Sequence, residues 1–176
     1  MHNVLIVIDM QNDFVSGSLG SENAKKIVDG VKNRILLSKK DGDEIYFTRD
    51  VHFENYLETQ EGKFLPIPHC IIGTDGVEII PEIQELTTGR LIIDKNGFGS
   101  LNLTGLLSGI EKFNPIDKIT LIGLCTDVCI ITNALILKAA FPQIPIVVEK
   151  DLVAGTSEEN HENALKAMKA CQIIIE

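Results

Sequence analysis

The sequence predicts an α/β fold in which a parallel sheet is covered by helices. Two observations carry this. Short runs dense in Val, Ile and Leu recur along the 176 residues, apolar on nearly every position, as in strands buried on both faces. Between several of them lie longer stretches whose apolar residues are spaced for one helix face, the βαβ alternation of a parallel sheet.

The first strand is residues 4–8 (VLIVI), ending at Asp9. A helix follows over residues 22–39, with Ile27, Val31, Ile35 and Leu36 on one face. Residues 44–48 and 90–93 are the second and third strands, and a helix spans 100–112 despite Gly105 and Gly109. The fourth strand, 119–122, leads to a helix over 128–140; the fifth is 144–148. Ser157 is placed to cap a helix over 157–170, and residues 173–175 close as a sixth strand. Residues 49–89 form one long irregular stretch, and loops of that length are more often functional than idle. No repeat, low-complexity tract or linker interrupts the chain, which reads as a single domain over residues 1–176.

Composition narrows the function. A formal net charge of −9 argues against general affinity for nucleic acid or anionic membranes. No apolar run approaches a membrane span, and the start of the chain lacks a signal-peptide pattern. Four scattered cysteines, Cys70, Cys125, Cys129 and Cys171, make no disulfide framework, so the expected compartment is the reducing cytoplasm.

Ligands of such sheets bind beyond the carboxyl ends of the strands. There the sequence places Asp9, then Asp50 and His52, then Asp94 and Lys95, then Cys125 and Cys129 in Gly123-Leu124-Cys125-Thr126-Asp127-Val128-Cys129. Singly, Asp9 also reads as a turn cap, Lys95 as a solvated charge and Cys129 as a small buried hydrophobe. Together they offer a nucleophile, a proton acceptor and a cation. A cysteine in the first turn of a helix meets backbone N–H groups and a helix dipole that favour its thiolate, and the same N–H groups can hold an oxyanion.

Five segments, in order, resemble the isochorismatase-like cysteine hydrolases, especially the nicotinamidase-related amidases. They are Asp9-Met10-Gln11-Asn12-Asp13-Phe14, Thr48-Arg49-Asp50-Val51-His52, Pro68-His69-Cys70 with Gly73-Thr74-Asp75-Gly76, Lys95 with Phe98, and Gly123 through Cys129. The resemblance implies a three-layer α/β/α sandwich on a six-stranded parallel sheet, Rossmann-like in layout. It implies a catalytic triad of Asp9, Lys95 and Cys129, and a cis peptide at Leu124–Cys125. The oxyanion hole would be the N–H groups of Cys125 and Cys129. It also implies a divalent metal on Asp50, His52 and His69, with Glu61 as fourth ligand and Glu54 or Glu58 as rivals. Zinc is the first choice, and manganese or iron also suits oxygen and imidazole donors. Phe14 matches one of the aromatic clamps on a pyridine ring. The Trp common before the metal His is absent, Leu65, Pro66 and Ile67 standing there, and Phe98 is the candidate to compensate. His2 and His161 match nothing and are expected at the surface.

The resulting expectation is a metal-assisted cysteine amidase. Its substrate is a small carboxamide, nicotinamide first, in pyridine-nucleotide salvage, and the family points to a homo-oligomer. The metal ligands weigh against carbamoyl-amide hydrolases, and the retained Cys against isochorismatase proper. Two other classes stand beside it: a non-catalytic protein reusing the fold, and a redox protein using the C-x-x-x-C pair of Cys125 and Cys129.

Overall fold

The computed structural model describes residues 1–176. Six strands form one all-parallel sheet: β1 (Asn3–Ile8), β2 (Glu44–Asp50), β3 (Leu91–Lys95), β4 (Lys118–Leu124), β5 (Ile146–Ala154) and β6 (Ile174–Ile175). Their order is β3-β2-β1-β4-β5-β6. The helices are α1 (Asn12–Val15), α2 (Glu22–Asp41), α3 (Gln60–Phe64), α4 (Pro81–Gln84), α5 (Leu101–Glu111), α6 (Ile131–Ala140) and α7 (Glu158–Ala170).

Alternation along β1 explains the layers. Leu5 and Val7 face one side, where they pack with Ile45, Phe47 and Ile122 against Ala24, Ile27, Val31 and Ile35 of α2. Val4, Ile6 and Ile8 face the other, packing with Leu103 and Leu107 of α5, Ala134 and Leu137 of α6, and Leu165 and Met168 of α7. Both faces of the central strands are therefore covered, and the three-layer α/β/α sandwich is as expected. Each fully buried Ile or Leu contributes about 1.5–3 kcal/mol. Ser21 caps α2 through Ala24 N, and Ser157 caps α7 through Asn160 N, as its position predicts.

Several boundaries differ from expectation. Leu36 faces solvent, and the buried face of α2 runs instead through Ala24, Ile27, Val28, Val31, Ile35 and Ser38. β2 and β3 run on through Asp50 and Lys95, which pair across the two strands, so these polar residues end strands and do not follow them. β5 starts at Ile146 and continues to Ala154; its register on β4 shifts between Leu121 and Gly123, and the polar segment Glu149, Lys150 and Asp151 sits in the slack. The long stretch 49–89 is not structureless. It holds α3, α4 and short 3₁₀ turns, and bridges His52 to Ile71 and Gln11 to Ile79 tie it down. The helix expected from Val128 begins two residues earlier as a wide π-type turn, Thr126–Ile130, which runs into α6.

β1 lies where the order of strand addition reverses, with β2 on one side and β4 on the other, so the crevice beyond β1 and β4 is the switch point of the sheet. Gly123 makes that approach close. Its φ is +113°, and a Cβ there would lie 2.1 Å from the Ile8 carbonyl oxygen. Gly123→Ala must therefore open the β1–β4 seam. At a cost of about 2 kcal/mol or more, a domain of this size should lose at least roughly 4–8 °C of Tm. Thermal unfolding within 1–2 °C (about 0.5 kcal/mol) of the parent would contradict this packing.

Candidate active site

Four chain segments meet at the switch point. Asp9 follows β1 with φ +49°, a left-handed conformation that Asp tolerates better than most residues. Lys95 ends β3, Asp50 ends β2, and Cys129 sits in the π turn after β4. Lys95 Nζ lies 2.7 Å from Asp9 Oδ2, 3.4 Å from Asp50 Oδ1 and 3.5 Å from Cys129 Sγ. All four residues are buried. Asp9 Oδ1 accepts a 2.6 Å bond from Thr48 Oγ1, whereas Oδ2 has no partner beyond the ammonium. The Leu124–Cys125 peptide bond is cis, as the resemblance implies.

The electrostatics follow from burial. Desolvation would push the Lys95 pKa down, but Asp9, Cys129 and Asp50 outweigh it, so the ammonium is held charged. Desolvation raises the Asp9 carboxyl above its ordinary value, Lys95 opposing, which makes Asp9 a stronger base than a surface Asp. Burial also pushes the Cys129 thiol well up, with Asp9 adding and Lys95 opposing. Burial thus works against the thiolate that the helix end favours, which gives the neighbouring carboxylate a part in taking the proton. The Cys125 thiol, buried and near Asp127, is pushed up to about 12.

The second constellation lies on the far side of Asp50. Oδ2 of Asp50 is 2.9 Å from His52 Nε2 and 3.5 Å from His69 Nε2, and Glu61 Oε1 is 3.7 and 3.6 Å from the same two nitrogens. One ligand atom from each of the four falls within 4.8 Å of the others, a group that could hold a metal ion. The donor chemistry fits a divalent cation. Two imidazoles and two carboxylates converge, and the Ile67 carbonyl accepts from His69 Nδ1, leaving Nε2 to face the group. His52, His69 and Lys95 oppose the effect of burial on Asp50 and hold its carboxyl well below the usual range. Burial alone would lower the His69 pKa, but Asp50, the Ile67 carbonyl and Glu61 together raise it. Glu54 and Glu58, the rivals of Glu61, are exposed and outside the group.

A cavity of about 650 Å³ joins the two constellations, lined by Phe14, Phe98, Asp50, Glu61, His69, Cys125 and Cys129 among others. Phe14 is buried, its ring centroid 5.5 Å from that of His69, and Phe98 is about half exposed at the rim.

Sequence reasoning gave no role to the residues that hold these groups in place. Gln11 is fully buried: its Nε2 donates to the Asp50 and Val77 carbonyls, and its Oε1 accepts from Asp50 N. Asn133 donates to the Cys129 and Phe98 carbonyls and accepts from Ser100 N, tying the π turn to the loop that carries Phe98. Tyr56 packs edge-on against both His52 and His69. His161 is not a free surface residue. Its Nδ1 lies 2.9 Å from Thr126 Oγ1, at the start of the π turn. His2 likewise is half-buried, its ring bonded to the Asn114 carbonyl. A buried Asn one turn after Cys129 and a Gln two residues after Asp9 are the signals that were available.

Comparison with known proteins places this fold and its switch-point site among hydrolases that act on amide C–N bonds. The isochorismatase domain matches residues 3–176, and the chain belongs to that family. It is similar to the crystal structure of nicotinamidase/pyrazinamidase PncA from Bacillus subtilis, with 28% identity, 99% of each chain covered and a TM-score of 0.86. The pyrazinamidase of Pyrococcus horikoshii in complex with zinc is 29% identical over 100% of this chain and 99% of that one, with a TM-score of 0.83. N-carbamoylsarcosine amidase from Thermoplasma acidophilum is 27% identical, covering 100% and 96%, with a TM-score of 0.81.

Burial orders the thiols. Cys171 is exposed, whereas Cys70, within the 49–89 segment, is buried in the core and its pKa is raised, burial first and Asp50 and Asp13 next. Iodoacetamide on the native protein should modify Cys171 and leave Cys70 intact until denaturant is added. Peptide mass analysis finding Cys70 alkylated in the native state would contradict the packing of that segment.

Proposed function

We propose that the chain is a cysteine amidohydrolase acting on a small carboxamide, with nicotinamide as the substrate that best matches the site. The carrying observation is the Lys95 ammonium, in contact with the Asp9 carboxylate, the Cys129 thiol and one oxygen of a metal-type ligand group. The likeness to the Bacillus and Pyrococcus enzymes supports an amide C–N substrate.

In this reading Asp9, made more basic by burial, takes the Cys129 proton as the sulfur attacks the carboxamide carbon. The oxyanion is stabilised by the N–H groups of Cys125 and Cys129 at the start of the helical segment. Asp9 then gives the proton to the departing ammonia and takes one from the water that hydrolyses the thioester. Lys95 keeps its charge throughout and holds the carboxylate and sulfur in register. Phe14 and Phe98 flank the ring from the cavity walls. Asp50, His52, Glu61 and His69 would hold a divalent metal, zinc first, which supplies a Lewis-acid anchor for the ring end of the substrate. The likeness to N-carbamoylsarcosine amidase supports a carbamoyl amide as second reading, against which the ligand group weighs, since a substrate without a ring nitrogen has less use for it.

Ammonia release on nicotinamide tests the roles directly. Cys129→Ala should abolish turnover and Cys125→Ala keep most of it, because the latter is needed only for its backbone. Asp9→Asn should lose at least about 10²–10⁴-fold. Equal losses at Cys125 and Cys129 would refute the assignment of the nucleophile.

The base form of Asp9 is the active one and its pKa is raised, so kcat/KM should fall on acidification at a pH above the ordinary carboxylate value of about 4. A profile flat down to that value would exclude Asp9 as the base.

Metal content gives an independent check. Elemental analysis should find about one divalent ion per chain, lost in His52→Ala combined with His69→Ala, with substrate binding weakened in parallel. Full activity in a metal-free, chelator-treated enzyme would contradict this half of the proposal.

A further inference from the structure

Phe98 is carried by a loop that does little to hold itself. Residues 96–99 run from the end of β3 to Ser100, which caps α5 through Leu103 N. None of the four takes part in a backbone–backbone hydrogen bond. The hydrogen bond that does reach the loop comes from another element: Asn133 Nδ2 donates to the Phe98 carbonyl at 3.1 Å. The Phe98 side chain is 47% exposed, so its own packing supplies only part of the anchoring.

Asn133, 1% exposed on α6, commits its whole amide to this junction. The same nitrogen donates to the Cys129 carbonyl at 2.8 Å, and Oδ1 accepts from Ser100 N at 2.9 Å. The loop lies hard against the helix there, since a Cβ at Gly99 would stand 2.5 Å from Ile136 Cδ1 and 2.8 Å from Thr132 Cγ2. Phe98 and Cys129 line the same cavity, and one buried amide fixes the backbone of the first against that of the second.

We propose that Asn133 is a positioning residue for ring-bearing amides, acting through Phe98: it holds this aromatic part of the cavity lining in place relative to the nucleophile before substrate arrives. The role rests on the amidase reading, in which Phe98 flanks the ring, and it belongs to a residue that touches neither substrate nor reacting atoms. Without Asn133 the loop becomes ordered only as the ring binds, and that ordering entropy is subtracted from binding. The chemical step depends on Asp9, Lys95 and Cys129 and is left nearly as it was. A residue that only stabilises the fold has no reason to separate the two effects.

A double-mutant cycle on nicotinamide hydrolysis tests this. Asn133→Thr is the central variant: threonine can still donate to the carbonyl four residues back, that of Cys129, but is too short to reach the loop. Asn133→Ala, which keeps neither bond, is the second. Each should raise KM at least about tenfold, with kcat within about threefold of the parent. Phe98→Ala should raise KM comparably, and adding Asn133→Thr to it should raise KM less than about twofold further. Where the parent turns nicotinamide over, unchanged kinetics in Asn133→Thr, a loss borne chiefly by kcat, or full additivity with Phe98→Ala would overturn the assignment and leave the amidase reading standing. Failure of both Asn133 variants to fold would overturn it as well, because Asn133 would then serve the fold alone. If the parent neither binds nor hydrolyses nicotinamide, the amidase reading fails, and the role of Asn133 with it.

Discussion

A buried ammonium is tolerable only where anions surround it, and this requirement organises the active-site end of the molecule. Lys95 is 6% exposed and would cost several kcal/mol to bury unpaired. Its partners arrive from different strands: Asp9 from the end of β1 and Asp50 from the register position opposite it on β2. The Cys129 thiol comes from the turn after β4. The charge thus draws the carboxyl ends of the first four strands to one point. That point is where the order of the sheet reverses and leaves a crevice.

Asp50 links the two halves of the site. One of its oxygens faces Lys95 and the other faces His52 and His69, so the catalytic ion pair and the metal-type ligand group share a single carboxylate. Its backbone is in turn clamped by Gln11, whose side chain bonds both its N–H and its carbonyl. A change in charge on either side is felt on the other through about one side-chain length of low-dielectric interior. This sharing gives a physical reason for a nucleophile and a ligand group to sit against one cavity wall, with substrate spanning the two.

How much of this could be read from the chain differs by element. The strands were legible because residues buried on both faces leave an unbroken apolar run, as in VLIVI before Asp9. Asp9, Asp50, Lys95 and the segment carrying Cys129 were legible because each follows or ends such a run, whereas Glu61 and His69, inside the long 49–89 stretch, came only from the resemblance. What stayed hidden was whatever depends on contacts between distant segments. Gln11 meets Asp50 across 39 positions, and His161 meets Thr126 across 35, with no local pattern to announce either. The far half of β5 was missed because its middle is polar and slips in register. The burial of Cys129 was hidden for a related reason: helix-end position favours charge on the sulfur, and only the packed structure shows the desolvation that opposes it.

The central claim is that a proton held between Asp9 and Cys129, under the charge of Lys95, passes so that sulfur can take up an acyl group. Rapid acid quench of the parent enzyme during nicotinamide turnover, followed by peptide mass analysis, tests it most directly. The account predicts a nicotinoyl adduct on the peptide carrying Cys129, appearing before steady state and vanishing when substrate is exhausted. Steady ammonia release with no adduct at any quench time, or with the adduct on Cys125, would contradict it.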